Sequence, residues 1–130
     1  MNKSPQVYGL TLCDRVRVER NPPSFNLDGV FLAREFAAFP TPACNFDVYA
    51  CLFDGRGEGV IDLTCTQLEG ERDIYYHRVW LAFPRSVPTV HYVRSVKGLR
   101  FRAPGRYAFT LFFDKAPLTV RYLDVRGTHR

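Results

Sequence analysis

The last quarter of the chain constrains the fold most. Tyr107, Phe109, Leu111 and Phe113 share one parity, and Ala108, Thr110, Phe112 and Asp114 share the other. Asp114-Lys115-Ala116-Pro117 interrupts the run, after which Leu118, Val120 and Tyr122 resume at period two. Two alternating apolar runs joined by a short polar turn specify a β-hairpin. Ala103-Pro104-Gly105 is the turn that leads into it. A half-buried antiparallel hairpin belongs to a sandwich or a barrel.

The rest of the chain repeats the pattern. Strand-like segments run over Tyr8–Val18, Phe25–Phe36, Cys44–Phe53, Gly59–Leu68, Ile74–Phe83 and Val90–Val96, with a short piece at Leu99–Arg102 before the final hairpin. Breaks fall at Asn21-Pro22-Pro23-Ser24, Phe39-Pro40-Thr41-Pro42, Asp54-Gly55-Arg56-Gly57, Glu69–Asp73 and Pro84–Pro88. Asp14 interrupts the parity of the first segment, which predicts a bulge or turn beside it. Gly29, inside the second, predicts a bulge or a close backbone approach. No stretch carries a sustained apolar period of 3.6, although Arg34–Phe39 has the length for one helical turn. Val, Phe, Tyr and Thr dominate, as strands prefer. Short strands at regular spacing predict one all-β domain over residues 1–130. We expect an antiparallel β-sandwich, immunoglobulin-like or jelly-roll-like, of seven to nine strands, with a closed barrel as the structural alternative.

Composition narrows the job. A chain of 130 residues buries a core without disulfide staples. No run reaches the roughly 20 apolar residues that span a bilayer. The beginning, MNKSPQVYGL, lacks a signal-peptide core, so the expected location is cytoplasmic and no membrane partner is expected. Cys13, Cys44, Cys51 and Cys65 sit in apolar or alternating segments without CxxC spacing, and read as free thiols rather than zinc ligands. No metal and no cofactor are expected, since Walker, dinucleotide and metal motifs are all missing. Gly55, Gly57 and Gly59 alternate between two strands and read as a hairpin turn. His77 and His91 lie mid-strand, where they could share a face with Asp62 or a cysteine, and His129 lies in the Arg126–Arg130 tail. Two strand histidines without a motif do not make a triad, so the chain is read as no enzyme.

With the strands placed, the sequence resembles an uncharacterised bacterial family of small single-domain β-sandwich proteins. The likeness rests on LTLCDRVRVE (Leu10–Glu19), NLDGVFLAREFAAFP (Asn26–Pro40), FDGRGEG (Phe53–Gly59) and PGRYAFTLFFDKAPL (Pro104–Leu118). The resemblance implies the sandwich fold and a cytoplasmic bacterial setting, and it carries no catalytic residues.

The binding candidates come from side-chain type and charge. On the fifth strand Ile74, Tyr76, Arg78, Trp80 and Ala82 share one parity, and Tyr75, His77, Val79, Leu81 and Phe83 share the other. The second set is the more continuously apolar and is assigned inward, which turns Tyr76, Arg78 and Trp80 outward. Exposed Trp, Tyr and Arg are the residue types that anchor interfaces. The net charge of +5 is also uneven, −2 over residues 1–65 and +7 over residues 66–130. Its densest stretch holds Arg94, Lys97, Arg100, Arg102 and Arg106 without an acid. If consecutive strands are neighbours, these cations extend the aromatic patch. The expected function is a non-catalytic protein–protein interaction module, a subunit or adaptor of a bacterial assembly. It would bind a protein partner or a second copy. The alternative is a carbohydrate- or nucleic-acid-binding module, and the positive segment allows an acidic partner or a nucleic acid.

Overall fold

Nine strands and no helix occupy the described residues, 2–86 and 89–128, of the computed structural model. They are β1 (Gln6–Arg20), β2 (Pro23–Val30), β3 (Ala33–Phe36), β4 (Cys44–Phe53), β5 (Glu58–Gln67), β6 (Arg72–Ala82), β7 (Val90–Leu99), β8 (Gly105–Phe113) and β9 (Ala116–Gly127). One sheet has the order β2-β1-β4-β7 and the other β3-β9-β8-β5-β6. With β2 and β3 set aside, the orders β1-β4-β7 and β9-β8-β5-β6 are those of an immunoglobulin-like sandwich, not a jelly roll. His129 lies outside the described residues.

Period-two alternation builds the core. Tyr107, Phe109, Leu111 and Phe113 of β8 are buried and face inward with Ile61, Leu63 and Cys65 of β5, their register partners. Across the gap stand Leu10 and Leu12 of β1, Phe46, Val48, Ala50 and Leu52 of β4, and Tyr92 and Val96 of β7. Phe46 meets Phe109 edge-on at 5.8 Å between ring centroids, which ties the two sheets at their middle.

Several sequence expectations change. The segment Phe25–Phe36 is two strands, because the chain switches sheets between them. Phe31 N donates to Leu12 O of the four-stranded sheet, and Leu32 O accepts from Asp124 N of the five-stranded one. The helical turn over Arg34–Phe39 is not formed, since Ala33–Phe36 extends as β3. That strand runs parallel to β9, Ala33 opposite Asp124, so the sandwich is not antiparallel throughout. Leu99–Arg102 is no separate strand, because β7 runs through Leu99 and the chain then turns. The register shift of β1 against β4 falls at Gly9, between Tyr8 and Leu10, not at Asp14. Gly29 makes the close approach expected of it. It sits at φ +68°, where a Cβ would collide with the Asp14 carboxylate.

The β1–β2 hairpin does more than extend a sheet. β2 and β7 form opposite edges of the four-stranded sheet, yet Phe25 of β2 stacks on His91 of β7 at 4.0 Å. The hairpin therefore curls over the outer face of its own sheet. Asp47 holds the bend, accepting from Val16 N and from Ser95 Oγ of β7, each at 2.8 Å. Cys13, paired in register with the outward Asp47, is buried under this flap.

Candidate interaction surfaces

The first surface is the outer face of the five-stranded sheet. Residues directly opposite in antiparallel strands share a face. The register therefore lays out rows: Trp80 beside Val60; Arg78, Asp62 and Phe112; Tyr76, Thr64, Thr110 and Val120; Thr66, Ala108 and Tyr122. Among the described residues no layer covers this face. Trp80 is 59% exposed and Tyr76 56%. Val120 and Tyr122 are exposed as well. Tyr75, His77 and Leu81, on the other side of β6, are half-buried. Val79 on that side is still exposed, because β6 is an edge strand and the opposite sheet only partly reaches it.

A buried carboxylate organises the face. Asp62 is 5% exposed, roofed by its neighbours. Arg78 donates to it twice, Nε to Oδ1 at 2.8 Å and the terminal nitrogen to Oδ2 at 3.2 Å, and the Tyr76 hydroxyl donates to Oδ1 at 2.8 Å. The guanidinium bond to Asp62 holds the carboxyl below its usual range, with the Tyr76 bond adding and burial opposing. The bidentate pair fixes the long Arg78 side chain and the Tyr76 ring in one arrangement. A partner meeting them finds a surface already ordered. Asp62 is the member of this surface that sequence reasoning did not select. Its only signal is an acid inside an otherwise apolar strand, and its partners become visible only with the register of β5 against β6.

The basic residues do not extend this patch. β6 and β7 are consecutive but belong to different sheets, since the chain crosses the sandwich between them. Arg94 reaches back across the seam, where its Nε donates to the Tyr75 hydroxyl at 2.7 Å. Lys97, Arg100 and Arg102 gather further along, joined by Arg72 of β6. They line an open groove of about 670 Å³ whose wall includes Ile74 and Tyr75. The seven residues selected from sequence thus form two surfaces on the two sides of β6, and Arg72 is a cation that sequence reasoning missed.

The histidines are equally separated. His77 lies half-buried on the inner side of β6, and its pKa is pushed down by burial and by the nearby Arg94 charge. His91 lies on the outer side of β7, Nδ1 bonded to the Tyr49 hydroxyl at 2.6 Å. They share neither a face nor a sheet. The described residues hold no group of three His, Cys, Asp or Glu side chains placed to bind a metal, and no helix long and apolar enough to cross a membrane. An apolar cavity bordered by Phe31, Phe46 and Phe101 holds only about 160 Å³. That is below the roughly 300–1,000 Å³ of ordinary ligand clefts.

No protein-family model matches the chain, and no curated protein matches it. Solved structures are similar in fold. A Pseudomonas fluorescens alkylpurine DNA glycosylase, bound to DNA containing an abasic site analog, aligns with a TM-score of 0.53 at 11% identity, over 95% of this chain and 30% of that one. An immunoglobulin-like protein from Pseudomonas aeruginosa aligns with a TM-score of 0.45 at 14% identity, over 95% and 98%. A β-glucosidase from Listeria innocua, in complex with isofagomine, aligns with a TM-score of 0.46 at 9% identity, over 97% and 17%. The chain spans less than a third of the glycosylase, and at that identity the likeness is one of fold.

Proposed function

We propose that the chain is a non-catalytic interaction module that associates through the open face and free edge of its five-stranded sheet. Its first partner is a second copy of itself, and its setting a cytoplasmic bacterial assembly. The observation that carries the reading is the exposure of Trp80 and Tyr76 on one sheet face, with Arg78 locked between them by Asp62. Aromatic and Arg side chains held rigid lose little entropy on contact, which is why they anchor interfaces.

The edge strand supports a second copy as the occupant. β6 is eleven residues long, contains no proline and, among the described residues, has no strand on its outer side. Such an edge invites another strand. Antiparallel addition of a second β6 about His77 sets Arg78 opposite Tyr76 on the exposed face. A cation meets an aromatic ring, with no like charges opposed. Sedimentation equilibrium over a wide concentration range tests this. A concentration-dependent dimer that weakens at least tenfold in Trp80→Ala supports it. A monomer at all concentrations, or a dimer indifferent to Trp80→Ala, overturns it.

A further inference from the structure

We infer that the groove at the β6–β7 seam binds single-stranded nucleic acid, a site separate from the sheet-face association. Four exposed cations, Arg72, Lys97, Arg100 and Arg102, line it. Among the described residues none has a carboxylate at ion-pair distance, whereas seven basic residues elsewhere do. Cations without an ion pair occur elsewhere too, but four of them share this one groove. Asp73 is the one acid of the lining, and its Oδ1 already accepts from the Thr66 hydroxyl at 2.6 Å. The groove keeps a surplus of three positive charges.

The backbone that carries the cations is fixed. Gly98 N donates to Asn45 Oδ1 at 2.9 Å and Phe101 N donates to Thr41 Oγ1 at 3.0 Å, while the Arg100 guanidinium itself donates to Thr41 O at 3.1 Å. Several cations along one groove suit a ligand with repeated charge better than one small anion. The wall selects among polyanions. Ile74 and Tyr75 give it an apolar flank, and the Tyr75 hydroxyl is held by Arg94. Unstacked bases offer a flat face to such a ring, while phosphates meet the cations. A duplex keeps its bases stacked inside and offers the Tyr75 ring no free face. An acidic peptide would use the cations and leave the ring idle.

Fluorescence anisotropy of the whole chain with a short fluorescein-labelled oligothymidylate tests the assignment. Three or four phosphate contacts predict that log K falls against log salt with a slope of about −2 to −3, at about 0.7 per phosphate. Arg72→Glu/Lys97→Glu/Arg102→Glu should weaken binding at least tenfold. Arg20→Glu/Arg56→Glu/Arg85→Glu, an equal charge change elsewhere on the surface, should weaken it far less. Tyr75→Leu should lose about five- to a hundred-fold and Tyr75→Phe should retain binding, as stacking contributes roughly 1–3 kcal/mol per base. The charge variants sit at exposed positions, so the test survives if Tyr75→Leu fails to fold. No binding at low salt, equal losses in the two triple variants, or equal affinity for duplex or polyglutamate overturns the proposal. Arg72 and Tyr75 belong to β6, so the anisotropy is repeated on Trp80→Ala: unchanged binding there separates this site from self-association, and a parallel loss overturns the separation.

Discussion

Phe109 carries the clearest energetic consequence of any single side chain. It is fully buried between Cys65 of β5 and the edge of Phe46 on the opposite sheet. Phe109→Ala removes a ring from between two sheets that cannot close the gap. A loss of about 3–5 kcal/mol in urea unfolding is expected, and a loss below about 1 kcal/mol would mean that the sheets do collapse there. Asp62 carries the clearest pH dependence. Its folded pKa is depressed, chiefly by Arg78, below the unfolded value near 3.9. The stability it contributes is present above that value and is lost as pH falls through the folded pKa. Urea midpoints measured from neutral pH to pH 2 should fall for the natural protein. Asp62→Asn should start lower at neutral pH and fall less on the acid side; an unchanged acid limb would remove Asp62 from the account. The inward parity of Phe109 was legible from alternation. The burial of Asp62 was not, because it depends on which residues β6 and β8 bring beside it.

Among the elements, β6 and the β1–β2 hairpin behave unlike the rest. β6 is held on one side only, so its outward side chains contribute little to folding. Trp80→Ala should leave the unfolding free energy within about 1 kcal/mol while weakening association. If it unfolds the protein, the exposed position of Trp80 is wrong. The hairpin flap is secured by Phe25 on His91 and by the Asp47 bonds at its bend. Phe25→Ala should loosen the flap and speed alkylation of Cys13 beneath it. The core thiol of Cys65 should keep its slow rate, its pKa pushed up by burial. Peptide-mapped alkylation kinetics decide this, and equal acceleration at both sites would indicate global opening instead. Sequence marked both strands of the hairpin but not its curl. The curl follows from contacts between Phe25 and His91, 66 positions apart.

At the scale of the whole molecule, one contiguous core joins both sheets, from Leu10 in β1 to Val125 in β9. We therefore expect one cooperative unfolding transition, with tryptophan fluorescence and far-ultraviolet circular dichroism coincident. Two separated transitions would divide the chain into independently folding parts. The sequence by itself determined the strand content and the inward parity of β8. Each follows from period-two alternation, a local property of the pleated backbone. Pairing is not local. Whether two consecutive strands lie side by side or on opposite sheets depends on the closure of the whole sandwich. Only the tertiary structure could therefore put β6 and β7 on different sheets, run β3 parallel to β9 and split the expected patch in two. Charge follows the same rule. The run from Arg94 to Arg106 was plain in the sequence. Its convergence with Arg72 and Tyr75 around one groove was decided by the seam where the two sheet edges meet.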